Sequence, residues 1–362
     1  MIGIVNNFRP DTGIGKYAFS LIDRFSDSGR EVELIQFSQE GEDVGRANTR
    51  VLKSPRYPIA GRTLSAYYSI PKSVGRGYEL YHASSQYLAR LARFRKPCVI
   101  THHDLAPLLF PDEYPMFLRF FVKKMIKSYK DADRIIAISE MSHKDLMEHV
   151  DIPKDKVSII PHGFDNRLYM PMDKAKCRRE MGLPEECKMV LHVGSEEPRK
   201  NIPLLLEAQR AVTSSVDDAI LVRVGSTNKE YDRMKKGMDI RHFSNVPEEK
   251  MPLLYNSADV FVFPSRYEGF GYPVIEAMGC GIPTIVSKPL SMFSGGALVV
   301  PFDSPKIISD AIIETLTKDA TAKRMSARAV SASREFTLDK DCLLYTSPSP
   351  RDLSTSRMPS SA

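Results

Sequence analysis

Short apolar, β-branched runs alternate along this chain with stretches in which apolar residues return every three or four positions. That succession predicts parallel sheets built from βαβ units, an α/β protein. In the first half the strand signatures are Ile2 to Val5, Val32 to Phe37, Leu80 to His82, Val99 to Thr101, Ile135 to Ile138 and Val157 to Ile160. Pro161-His162-Gly163-Phe164-Asp165, followed by Pro171, breaks the rhythm and reads as a linker. A second set follows, with strands at Met189 to Val193, Ile220 to Val224, Val260 to Phe263, Thr284 to Ser287 and Leu298 to Val300. Helices are expected near Ile202 to Val212, Glu248 to Asn256, Pro273 to Gly279 and Ile307 to Leu316. Two Rossmann-like domains, 1–165 and 166–341, would thus face each other across a cleft. Ligands of open parallel sheets bind at the carboxyl ends of the strands, so the chemistry belongs in that cleft.

The length of 362 residues suits two domains with separate cores. With 42% hydrophobic and 27% charged residues the chain is globular rather than disordered. Five cysteines stand far apart, without the spacing of a disulfide framework or a zinc knuckle, which points to a reducing compartment. No signal-peptide pattern and no apolar run of about 20 residues is present, so a cytoplasmic protein is expected. The net charge of +6 is unevenly placed, because residues 50–135 hold 16 Lys/Arg against 6 Asp/Glu. Such a basic face attracts anions without choosing among them. In Met116 to Tyr129, Leu118, Phe121, Val122 and Met125 form one stripe, with Lys123, Lys124, Lys127 and Lys130 near another. This reads as a packed surface helix, with contact to an anionic membrane as the second reading. No nucleic-acid-binding module is recognisable. From Cys342 to Ala362, 11 of 21 residues are Ser, Thr or Pro. That segment is expected to be unstructured, and it resembles the translation of a transposase adapter used in DNA library preparation, which would put the end of the natural frame near Asp341.

Four motifs carry the chemistry. Glu268-Gly-Phe-Gly-Tyr-Pro-Val-Ile-Glu276 lies between a strand and a helix. Two carboxylates there suit sugar or ribose hydroxyls, which need acceptors. Gly269 and Gly271 permit close backbone approach, and a helix start favours an anion. Pro198-Arg199-Lys200-Asn201 puts two cations at a helix start, an unfavourable place unless an anion lies between them. Asp11-Thr-Gly13-Ile-Gly15-Lys16-Tyr-Ala18 spells G-x-G-x-x-A. A dinucleotide site would need those glycines close behind the strand and an acidic residue ending the second strand, and both are missing. Thr101-His102-His103-Asp104 ends a strand at the cleft; without a third or fourth ligand at useful spacing no metal is expected. His102 equally suits a structural role. Asp131-Ala-Asp133 precedes a strand instead of following one and reads as a charged helix end, and Ser139 reads first as a helix N-cap.

Taken together these motifs resemble family 4 of the retaining glycosyltransferases, whose GT-B architecture has two Rossmann-like domains facing an interdomain cleft. The resemblance spans most of residues 1–340. It implies that Glu268 and His103 meet the donor sugar at the reaction centre, Glu276 the nucleotide ribose, and Arg199 and Lys200 the diphosphate. Gly15, Gly269, Phe270 and Gly271 would complete the substrate-binding set. Many members carry an arginine directly after the glycine of the strand where this chain has Ser195. The resemblance further implies a front-face path in which the leaving phosphate helps take the acceptor proton, so no catalytic base and no cofactor is expected. The activity implied is hexose transfer from a nucleotide-diphosphate sugar, GDP-mannose ahead of UDP-glucose, to a saccharide or lipid-linked acceptor. Segment 287–296 is short for a donor loop and lacks a glutamate. Two other readings stay open: a sugar-nucleotide epimerase, and a binding protein without catalysis, because the last helix expected to cross back onto the first domain is incomplete.

Overall fold

The computed structural model describes residues 1–38, 48–55 and 61–337. Among these residues two parallel sheets form. The first contains β1 (Ile2–Asn6), β2 (Val32–Ser38), β3 (Thr49–Lys53), β4 (Leu80–Ala83), β5 (Cys98–His102), β6 (Arg134–Ala137) and β7 (Val157–Ile159) in the order β3-β2-β1-β4-β5-β6-β7. The second contains β8 (Lys188–Val193), β9 (Ala219–Val224), β10 (Ile240–Phe243), β11 (Val260–Phe263), β12 (Thr284–Ser287) and β13 (Leu298–Val300) in the order β10-β9-β8-β11-β12-β13. Strand order reverses beside β1 in one sheet and beside β8 in the other, which opens a crevice at the carboxyl ends of each. Helices cover both faces, so the inner strands are apolar throughout, and β9, β11 and β12 have no exposed residue.

Two strands escape the hydrophobic pattern, and both are sheet edges. Thr-Arg-Val-Leu-Lys of β3 and Ile-Arg-His-Phe of β10 pair on one side only and leave polar residues in water, so neither forms an apolar run. The helix Gly13–Asp27 shows how an element is fixed. Thr12 caps it, its hydroxyl accepting from Gly15 N at 3.1 Å. Ala18, Leu21, Ile22 and Phe25 then fall on one face and bury against Ile4 and Leu34. Leu21→Ala in this packed layer would cost about 2–5 kcal/mol.

Residues between the sheets run without regular structure from Ile160 to Asp173. There the chain meets its own later segment: Phe164 N donates to Phe336 O at 2.9 Å, and Phe164 forms a parallel bridge with Thr337. The helix Asp319–Ser333 delivers that segment to the hinge, where Phe336 packs on Phe270 and Phe293. The Ser/Thr/Pro-rich segment 342–362 lies outside the described residues. Cys98, Cys177, Cys187 and Cys280 are free thiols. Among the described residues no helix is long and apolar enough to cross a membrane.

Candidate active site

Glu268 sits on the loop leaving β11 and is 8% exposed. One carboxylate oxygen, Oε1, accepts from Lys200 Nζ at 2.5 Å and from Arg199 Nη1 at 3.0 Å. Both cations come from the turn Pro198–Lys200 that follows β8. Asn201, in the left-handed region at φ 58°, ends that turn, and its amide donates to Pro264 O and Phe302 O, pinning the turn to the Glu268 loop. Arg199 is shared, since its Nε donates to Glu197 at 2.9 Å, and Ser195 Oγ donates to the same glutamate. Burial by itself would push the Glu268 carboxyl up. Lys200 and Arg199 outweigh burial and hold it below the usual range, so it is a carboxylate at neutral pH.

Glu276 lies in the helix Tyr272–Gly279, 3% exposed. Its Oε2 accepts from Tyr255 OH at 2.7 Å in the same lobe, and its Oε1 accepts from Lys16 Nζ at 3.0 Å across the cleft. Lys16 also pairs with Glu248 at 2.8 Å, and Tyr169 OH donates to that glutamate at 2.9 Å. Burial opposes the charge on Lys16, but the two glutamates prevail, and its pKa is raised. Lys16, Glu248 and Tyr255 were not singled out from the sequence. The available signal was a cation in the first turn of a helix, a position that disfavours positive charge.

Of the glycines, Gly269 serves the meeting of the lobes. A Cβ on Gly269 would run into the His103 carbonyl, and the Gly269 carbonyl accepts from Ser139 Oγ at 2.6 Å. Gly271, at φ 104°, tolerates no side chain, with Leu290 at 2.9 Å from its Cβ position. A Cβ on Gly15 would collide with the Arg9 carbonyl, so that glycine is needed by its own loop. The Phe270 ring is 3% exposed and turned inward against His162, Tyr272 and Phe293, which leaves its backbone for any ligand contact. Tyr267 crosses into the first lobe, where its hydroxyl donates to Asp145 at 2.7 Å and accepts from Leu105 N.

His103, at the end of β5, is 5% exposed. Its Nε2 is 2.8 Å from Ser84 O, which accepts only, so the proton is on Nε2 and Nδ1 is left to accept from His162 Nε2 at 3.4 Å. Burial lowers its pKa to about 4 and keeps the ring neutral, although the Ser84 bond works the other way. His102 faces elsewhere, its Nδ1 at 2.8 Å from Tyr129 OH. Asp131 accepts from Arg93, and Asp133 from Cys98 N, both at 2.7 Å, which ties them to the turn before β6. Ser139 caps the helix Glu140–His149 by accepting from Ser142 N.

A further buried cluster underlies the Gly194 loop. Arg223 on β9 is 2.6 Å from His192 Nδ1, donates to Gly194 O and pairs with Glu196, which also takes Lys235 and Asn228 N. A charged residue in an apolar strand pattern was its only trace in the sequence.

A model of group 1 glycosyl transferases matches residues 173–331, and one described as Glycosyltransferase Family 4 matches residues 12–168. O-antigen chain mannosyltransferase B of Escherichia coli is 27% identical over 93% of this chain and 95% of its own length. D-inositol 3-phosphate glycosyltransferase of Corynebacterium glutamicum (strain R) is 30% identical over 57% of this chain and 54% of its own. Sucrose-phosphate synthase from Thermosynechococcus elongatus shares the fold at a TM-score of 0.80, with 20% identity, 98% of this chain and 99% of that one covered. Anabaena HepE, solved with UDP and glucose, superimposes at 0.74 with 17% identity over 98% and 99% of the two chains. With each lobe matched by its own model and the two-sheet architecture shared from end to end, the chain belongs to the family 4, group 1 glycosyltransferases and has the GT-B fold.

Proposed function

We propose that the protein moves a hexose from a nucleotide-diphosphate sugar to an acceptor hydroxyl with retention at the anomeric carbon. The observation that carries this reading is the buried Glu268 carboxylate with Lys200 and Arg199 beside it. A carboxylate accepts from sugar hydroxyls, and two adjacent cations can receive the negative charge that grows on the departing diphosphate, which strengthens their interaction in the transition state. Glu276 takes the ribose, His103 lines the sugar, and the glycine turn around Gly15 faces the diphosphate from the first lobe. The reaction needs no resident cofactor in this scheme. Similarity to the mannosyltransferase over nearly the whole chain supports mannose ahead of glucose. GDP is the carrier in this reading, and the acceptor is a saccharide or a lipid-linked intermediate.

The helix Met116–Ile126 exposes Met116 (80%), Phe117 and Phe120, with Lys123 and Lys124 beside them, and we assign this face to an anionic membrane surface inside the cell. Incubation with GDP-mannose, UDP-glucose and a panel of saccharide acceptors tests the transferase reading. The expected product shows the donor's anomeric configuration by proton NMR. Inverted product would overturn retention, and free sugar isomers without acceptor would favour an epimerase.

A further inference from the structure

If Glu276 is the ribose carboxylate, as the reading above has it, its surroundings pose a problem of competition. Both oxygens already accept hydrogen bonds, Oε1 from Lys16 and Oε2 from Tyr255, and the side chain is almost fully enclosed. Tyr255 belongs to the same lobe and keeps its bond whatever the lobes do. Lys16 comes from the other lobe, 260 positions away in sequence. Oε1 has a second acceptor site, but the Glu276 side chain is only 4% exposed and Lys16 Nζ already lies 3.0 Å from that oxygen, so a ribose hydroxyl that reaches Oε1 competes with Lys16 for the enclosed space around it.

Lys16 cannot simply withdraw into water, because its side chain is only 22% exposed. It retains Glu248 at 2.8 Å, which is nearly half-exposed and can follow it. A nucleoside diphosphate carries, next to its ribose, the negative groups that a displaced ammonium requires. Lys16 also directly follows Gly15 in the first turn of the helix Gly13–Asp27, the segment assigned above to the donor diphosphate. A lysine suits such an exchange, being a compact charge on a four-carbon flexible stem with three rotatable donors.

We propose that Lys16 is a donor-exchanged latch: it bridges the lobes through Glu276 and Glu248, yields Glu276 to the ribose, and becomes a ligand of the diphosphate. The two roles pull in opposite directions for two probes. A nucleoside offers the ribose alone and only competes with Lys16, whereas a nucleoside diphosphate competes and repays. In titration calorimetry of the full chain, Lys16→Met should bind guanosine or uridine about threefold more tightly than the unaltered protein and bind the matching diphosphate about tenfold more weakly. Lys16→Arg, which keeps the charge, should leave the preference for diphosphate over nucleoside within about threefold of the unaltered protein. Equal shifts for both probes, or no shift in either, would overturn the latch. If the unaltered protein binds no nucleoside diphosphate, the reading of Glu276 itself fails. A melting curve for each variant checks folding, and the ratio of the two affinities is insensitive to a general loss of folded protein.

Discussion

Glu268 and Glu276 stand eight positions apart on one loop and helix, yet they are held in different ways. Glu268 takes both of its cations, Arg199 and Lys200, from its own lobe. Glu276 takes one donor from its own lobe and its cation from the opposite one. The first arrangement survives any separation of the lobes. The second exists only while they are together, so it reports on closure. On the proposed roles, charge at the reaction centre would thus be organised within one lobe, and nucleotide binding would be coupled to the relation between the two.

The sharpest way to break this comparison is to neutralise each carboxylate in turn. Glu268→Gln should lower kcat by about 10²- to 10³-fold, the scale of losing one preorganised polar contact to the transition state, with a smaller change in donor KM. Glu276→Gln should instead raise donor KM by about tenfold or more and leave kcat nearer its original value, since it loses a charge-assisted contact present in ground and transition states alike. Steady-state kinetics with saturating acceptor decide the matter. The same profile from both variants would mean that the two carboxylates are not divided as described.

Acid gives the most graded contrast, this time between histidines and Glu268. Burial holds His82 and His102 at about 3, and burial, against the Ser84 bond, holds His103 at about 4. These rings are neutral in the folded chain, while in the unfolded chain they titrate near 6.5. Below that pH the unfolded form binds more protons, so stability falls as pH falls from about 6.5 towards 4, by at most about 1.4 kcal/mol per pH unit for each histidine. Glu268 behaves differently: its lowered carboxyl contributes stability that is complete above the ordinary glutamate range and is lost only below it. Calorimetric melts should therefore show the melting temperature dropping already between pH 6.5 and 5, before any loss from Glu268. A flat melting temperature over that interval would contradict the neutral buried rings.

What was legible in the sequence follows from what is local. The inner strands are buried on both faces and announce themselves as apolar runs, whereas β3 and β10 lie at sheet edges and carry Arg, Lys or His where the pattern demands apolar residues. Glu268, Glu276, Arg199 and Lys200 sit in short contiguous motifs and could be picked out one by one. Which of them shares a partner could not. The bond from Lys16 to Glu276 joins residues in different lobes, and no spacing rule links them. Phe270 lies in the same motif as Glu268, but its ring serves the core beneath the loop, a distinction that residue type does not carry. Arg223 looks misplaced in an apolar strand until His192, Gly194 and Glu196 are brought around it.

The pairing of Phe164 with Phe336 and Thr337 also imposes an order on synthesis. The seven strands of the first sheet are all translated by Ile159, so that lobe can fold while the ribosome is still making the second. Its connection to the second lobe must wait, because the residues that clasp Phe164 emerge only after β13 and the helix Asp319–Ser333. A nascent chain stalled before that point would present two lobes joined by an unclasped thread, and proteases should cut it near residues 160–173 far faster than they cut the released protein.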